Sequence, residues 1–276
     1  MTIAPQDFFP QLADWVAHLD GVFPGKQVKP WFAQWEVGHI LSLVVLGGSS
    51  ILLNLRLIGV GLTDEPASEL NRNLRNWVIA GVIGIVVTGL LIGSANAERL
   101  YTSEAFSAKM IGLLAGIILT FAVTLSATKN DGALGPVARV FAVIGLGVFL
   151  AAIGAFLQAK LSNPGLWHVI SAAALIVLFA TRGMIRTLYL GVMLVMIAAQ
   201  QVLTHVVYKF DDYAHLDPVN KGFAWGFVAV ILGFAVIQAV ASGRSQSAGP
   251  FVKLMAFAAI LVWVMTAAAG RWLAFA

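Results

Sequence analysis

Residues 34–61, "QWEVGHILSLVVLGGSSILLNLRLIGVG", decide the fold class. The run is apolar enough to cross a bilayer, yet it holds His39 near its start and Arg56 near its end. A hydrocarbon core about 30 Å thick takes roughly 20 apolar helical residues at 1.5 Å each. The run is continuous rather than alternating, so it reads as a helix and not as a barrel strand.

The rest of the chain repeats this pattern. Of 276 residues, 59% are hydrophobic and 11% charged, and the mean hydropathy is +0.88. A soluble domain would carry about a quarter charged residues. Eight runs qualify as spans, at 36–60, 74–95, 107–127, 136–158, 166–182, 186–208, 222–242 and 251–274. Breakers separate them, among them Asp64-Glu65-Pro66, Asn130-Asp131-Gly132 and Asn163-Pro164-Gly165. The expected fold is an all-α membrane protein of eight transmembrane helices. No cysteine is present, which removes disulfides, thiolate metal sites and Cys-linked haem.

Residues 1–35 differ. Phe8, Leu12, Trp15, Val16 and Leu19 fall on one helical face, as in an amphipathic helix lying in the interface. The stretch lacks the basic start and cleavage site of a signal peptide.

Internal similarity predicts two parallel four-helix repeats, 36–160 and 161–276. Gly135-Pro136-Val137-Ala138-Arg139 matches Gly249-Pro250-Phe251-Val252-Lys253, and Arg75 matches Arg186. With eight spans, loops 1–2, 3–4, 5–6 and 7–8 share one side, holding nine basic and four acidic residues. The other side holds eight basic and nine acidic residues. The positive side faces the cytoplasm by the charge rule, so both termini are expected outside.

All five histidines then lie on the outer side: His18, His39, His168, His205 and His215. His39 is one turn inside span one, His168 begins span five, and His205 shares a face with Gln201. Arg271 sits at the same depth in span eight, within an outer tryptophan belt. Wetted interfacial imidazoles explain His18 and His215. Arg56, Arg182 and Arg186 read as snorkelling topology markers. Glycines in spans two and three, Gly81, Gly84, Gly89, Gly93, Gly112 and Gly116, read as close-packing positions. His39 reads as functional, because ionisable residues inside a membrane are expensive. Imidazole is the commonest metal ligand, and two histidines on facing helices can ligate haem iron. The expected site joins His39, His168 and His205, with Gln201 in support and Arg271 pairing a propionate. No nucleotide, hydrolase or HExxH motif is present, no carboxylate sits mid-span, and no nucleic-acid partner is expected.

The stretches "GHILSLVVLGGSSILLNLRLIG", "VTGLLIG", "LYTSEAFSAKM" and "GRWLAF" resemble an uncharacterised family of bacterial inner-membrane proteins. That resemblance implies the bacterial inner membrane, and it points to His39, Arg56, Gly270 and Arg271. Asn54 stands where the family pattern has Asp. The layout is also similar to copper resistance protein D-type proteins. Three functions follow as expectations. The first is a cytochrome-b-like subunit carrying haem b near the outer leaflet, with quinone and a periplasmic redox protein as partners. The others are a copper-handling protein, and a cofactor-free subunit of a larger membrane complex. Copper is disfavoured by the absence of Cys and of a Met cluster.

Overall fold

The computed structural model describes residues 3–159, 165–207, 218–242 and 248–273. His215, Tyr208, Arg244 and the Asn163-Pro164 breaker lie outside the described residues.

The chain is all-α, with eight main helices among the described residues. These are α1 (Phe32–Ile58), α2 (Ala67–Ala95), α3 (Glu104–Leu119), α4 (Pro136–Gln158), α5 (Gly165–Ala180), α6 (Gly183–Gln201), α7 (Pro218–Ala241) and α8 (Pro250–Trp272). The α3 helix continues through a π-helical stretch, Thr120–Leu125, and a last turn, Ser126–Lys129. A second π stretch, Val202–Val207, extends α6. Seven of the eight are long and apolar enough to cross a membrane. The exception is α5, whose 16 residues rise about 24 Å.

Local chemistry sets the boundaries. Pro136 and Pro250 open α4 and α8 from an extended glycine, where a missing N–H is harmless. Gly59 ends α1 at φ 85°, a left-handed turn that lets its N–H and that of Val60 reach the Leu55 carbonyl.

The amphipathic expectation for 1–35 needs correction. This segment is a string of short turns, Pro5–Phe8, Pro10–Leu12, Ala13–His18, Leu19–Gly21, Gly25–Val28 and Lys29–Trp31. Pro10, Gly21, Pro24 and Pro30 deny any long helix. Val16 turns inward, while Trp15 is 61% exposed and Phe8 is also uncovered by protein. Tyr101 donates its hydroxyl to the Phe9 carbonyl, tying the segment to the turn after α2.

The glycine expectation holds at Gly81, Gly84, Gly112 and Gly116 but not at Gly93, where a Cβ would make only an ordinary contact with Leu100. A Cβ at Gly81 would fall 2.7 Å from the backbone of Leu46, so α1 and α2 touch at their main chains. Gly112 and Gly116 instead make room for side chains of α8, those of Thr266 and Trp263. Without a hydrophobic drive between helices in lipid, such close approach is what dispersion needs.

The centre of the bundle is α8. It packs on α1, α3, α4, α5 and α7, and every residue from Met255 to Trp263 is buried. A helix apolar all round belongs there. By contrast α6 buries only 11% of its spanning window, against 72% for α8.

A polar thread runs through this core. Thr124 donates to Asn54 Oδ1 at 3.0 Å, and Asn54 donates to the Ser50 carbonyl. Thr128 donates to Asn71, and Trp263 donates to Thr120. Arg56 also departs from expectation. It is 6% exposed and donates through Nε to the Glu65 carbonyl at 2.6 Å, bracing the α1–α2 loop rather than snorkelling.

Candidate functional site

His39 sits seven residues into α1, half-buried and facing α2. Gly89 leaves the room: a Cβ there would lie 3.4 Å from the imidazole Cε1. The ring Nδ1 lies 2.8 Å from Thr88 Oγ1. Thr88 spends its single hydroxyl proton on the Gly84 carbonyl, so its oxygen can only accept from the ring. Nδ1 therefore carries the proton in the neutral imidazole, and Nε2 holds the lone pair. This is how a ligating or proton-accepting histidine is oriented: one nitrogen anchored, the other free to act.

A cation stands beside it. Lys109 enters from α3, one and a half turns past Ser103, which caps that helix by accepting from the Phe106 N–H. Its charge acts on the His39 ring. A Cβ at Gly270 of α8 would lie 3.4 Å from both Cε and Nζ of Lys109. The side chain thus runs towards α8 rather than out to lipid. Four helices meet here: the start of α1, the end of α2, the start of α3 and the end of α8.

Three of the expected residues lie elsewhere. His168 is exposed near the start of α5, and His205 is exposed on the π stretch after α6. Gln201 is exposed; its neighbour Gln200 donates to Asn220 of α7 at 3.0 Å. The packing of α5 is against α6, α7 and α8, whereas α1 packs on α2 and α8. The structure therefore joins His39 to Thr88, with Lys109 within electrostatic range, and the helices that carry His39 and His168 do not pack closely on each other. No group of three His, Cys, Asp or Glu gathers among the described residues. Arg271 is exposed, next to Gly270, at the edge of the His39 site.

Sequence reasoning missed Lys109 and Thr88. The signal was present, since Thr88 lies in "VTGLLIG" and Lys109 in "LYTSEAFSAKM". His39 and Gly270 lie in the other two quoted stretches, so all four converge on one place.

Residues 22–158 match a family of unknown function, DUF6644. The matched stretch runs from just before α1 to the end of α4 and holds His39, Thr88 and Lys109. No curated protein and no solved structure matches the chain.

Proposed function

We propose that this chain is the membrane-embedded subunit of an electron-transfer assembly, holding haem near the outer leaflet through His39. The observation that carries the reading is the Nδ1–H···Thr88 hydrogen bond, which leaves Nε2 as a donor to iron. The charges agree. A porphyrin dianion neutralises ferrous iron and its propionates are anionic, so Lys109 and the nearby Arg271 suit haem. A bare copper ion beside an ammonium is disfavoured, which ranks the copper reading below haem.

His39 would offer Nε2 to the iron, Thr88 fixes its tautomer, and Gly89 gives the ring space. Lys109 and Arg271 would meet the propionates. Haem supplies one-electron transfer when bound. His168 and His205 have no part in this version, and His39 alone would hold the iron.

The reading includes the membrane layout. All eight helices cross, in two four-helix groups, in a bacterial inner membrane with both termini periplasmic. The charge split between loops supports the orientation. The family match ending at Gln158, the last residue of α4, supports a division there. The exposed aromatic residues of the N-terminal turns support an interfacial segment. A periplasmic redox protein and quinone would be the partners.

Absorbance of protein purified from haem-replete cells tests this. The expected result is a reducible Soret and α band, lost in His39→Ala and kept in His168→Ala. A wild-type spectrum without either band refutes it, leaving the cofactor-free subunit of a larger complex.

A further inference from the structure

Arg182 and Arg186 lie at the corner between α5 and α6, level with the far end of α1 from His39. Both side chains are exposed, yet both are anchored on backbone. Arg182 donates through Nη2 to the carbonyl of Gly59, which closes α1, at 2.9 Å. Arg186 donates through Nε to the Thr181 carbonyl at 2.8 Å and through Nη2 to that of Phe179 at 3.4 Å. Thr181 is the chain neighbour of Arg182, so both guanidiniums belong to one corner. A guanidinium carries five N–H donors, and most of them stay unspent here. Neither arginine pairs with a carboxylate among the described residues.

Other elements close around this corner. Gln238 of α7 accepts from the Arg182 backbone N–H at 3.2 Å and fixes the turn. Lys253 of α8 is buried, donates to Ser242 Oγ at 2.9 Å, and lies within electrostatic range of Arg182. It adds field rather than contact. Space is open beside the arginines, since a Cβ on Gly183 or on Gly249 would meet nothing within 4 Å.

The surroundings select the kind of anion. The 16 residues of α5 rise about 24 Å, short for a hydrocarbon core about 30 Å thick. The corner that follows it lies close to the hydrocarbon boundary, where lipid phosphates sit. Phe179, Met184 and Leu188 are exposed beside the arginines and offer acyl chains an apolar wall. A small soluble anion gains nothing from such a wall. By the charge rule this face is cytoplasmic, the leaflet whose surface carries anionic lipid.

We propose that Arg182 and Arg186 form a binding site for the phosphate head of an anionic lipid, at the α5–α6 corner against the end of α1. The unspent guanidinium donors bond the phosphate oxygens, and the apolar wall takes the chains. The site stands apart from the haem reading and from His39. It also has a use, because α6 buries only 11% of its spanning window. A lipid held here fastens that peripheral helix to the bundle through the Arg182–Gly59 contact.

The test uses full-length protein in nanodiscs of mixed phosphatidylcholine and phosphatidylglycerol, released for native mass spectrometry. The wild type should retain phosphatidylglycerol over phosphatidylcholine by about tenfold, the size of one charge-assisted contact. Arg182→Gln combined with Arg186→Gln should erase that preference. Lysine at both positions should keep part of it, which shows that the loss is not misfolding. Arg139→Gln, an exposed cation at the start of α4 on the same face, should leave it unchanged. Inorganic phosphate at millimolar concentration should not displace the lipid. Equal retention of both lipids by the wild type, or a preference surviving the double glutamine variant, overturns the proposal. So does an equal loss in Arg139→Gln, which would mean a diffuse surface field. Displacement by inorganic phosphate overturns the lipid as the ligand and assigns the corner to a free anion.

Discussion

The indole of Trp263, 2% exposed at the centre of α8, donates its Nε1–H to the hydroxyl of Thr120 at 3.0 Å. Thr120 is the first residue of the π stretch in α3. The largest side chain of the core is therefore anchored where α3 departs from regular geometry. Thr120→Val keeps the volume and leaves the indole proton unpaired, which costs about 1–3 kcal/mol. Thermal unfolding in detergent should register the loss, and Thr120→Ser should restore it. An unchanged midpoint in Thr120→Val would show that the bond contributes nothing.

Thr88→Val tests the tautomer argument. Removing the acceptor frees the His39 ring to rotate and to take either tautomer. Loss of such an orienting partner lowers cofactor affinity about 10–100-fold. Titration of purified apoprotein with haem reads this directly, with Thr88→Ser as the control that keeps the oxygen. Equal haem affinity in all three proteins would separate Thr88 from the site.

Arg56→Gln removes a buried charge-assisted contact with the Glu65 carbonyl. A loss of about 1.5–3 kcal/mol is expected. Limited proteolysis should show earlier cleavage between Ile58 and Ala67. A variant as resistant as the wild type would return Arg56 to the role of a topology marker.

Asp20 and Lys29 form an exposed ion pair at 2.6 Å. Hydrogen bonding from Lys29, and then its charge, hold the Asp20 carboxyl below its ordinary value of 3.8. A depressed folded value means the pair's contribution is present above the unfolded value and is lost as pH falls through the folded one. An NMR titration should place the Asp20 midpoint below 3.8, and Lys29→Gln should raise it to the ordinary value. A wild-type midpoint at or above the ordinary value would exclude the pairing.

Because the chain has no cysteine, single cysteines report topology cleanly. Thr102→Cys, between α2 and α3, should react with a membrane-impermeant maleimide on intact cells. Asp131→Cys, between α3 and α4, should react only after permeabilisation. The reverse pattern would invert the orientation.

Helix positions were legible in the sequence because apolar run length and breakers are local. Pro136 to Gln158 appears as expected, opened by Gly135-Pro136. Neighbours were not legible. Lipid and protein core are equally apolar, so α6 and α8 read alike, although one is peripheral and the other buried on all sides. That is why His39 was paired with His168 rather than with Thr88, whose short side chain looks unremarkable within α2. Lys109 falls among the eight basic residues of the outer side in the charge count, although 107–127 already places it inside span three and the helix starts at Glu104. Depth along the helix distinguishes it, and one turn moves a lysine from the surface to the seam.

The π stretch in α3 has a consequence for chain length. A π turn accommodates one more residue than an α turn over the same rise. It therefore sets the rotational phase between the first half of α3, which carries Lys109, and the last turn, which bonds Asn71 through Thr128. Deleting one residue within Thr120–Leu125 would restore regular winding and keep the phase, whereas regular α winding of all the residues present would swing the halves by up to about 100° relative to each other. With the last turn pinned at Asn71, the ammonium would then leave α8 and face a different neighbour. The π winding, placed far from His39, decides which helix the cation meets.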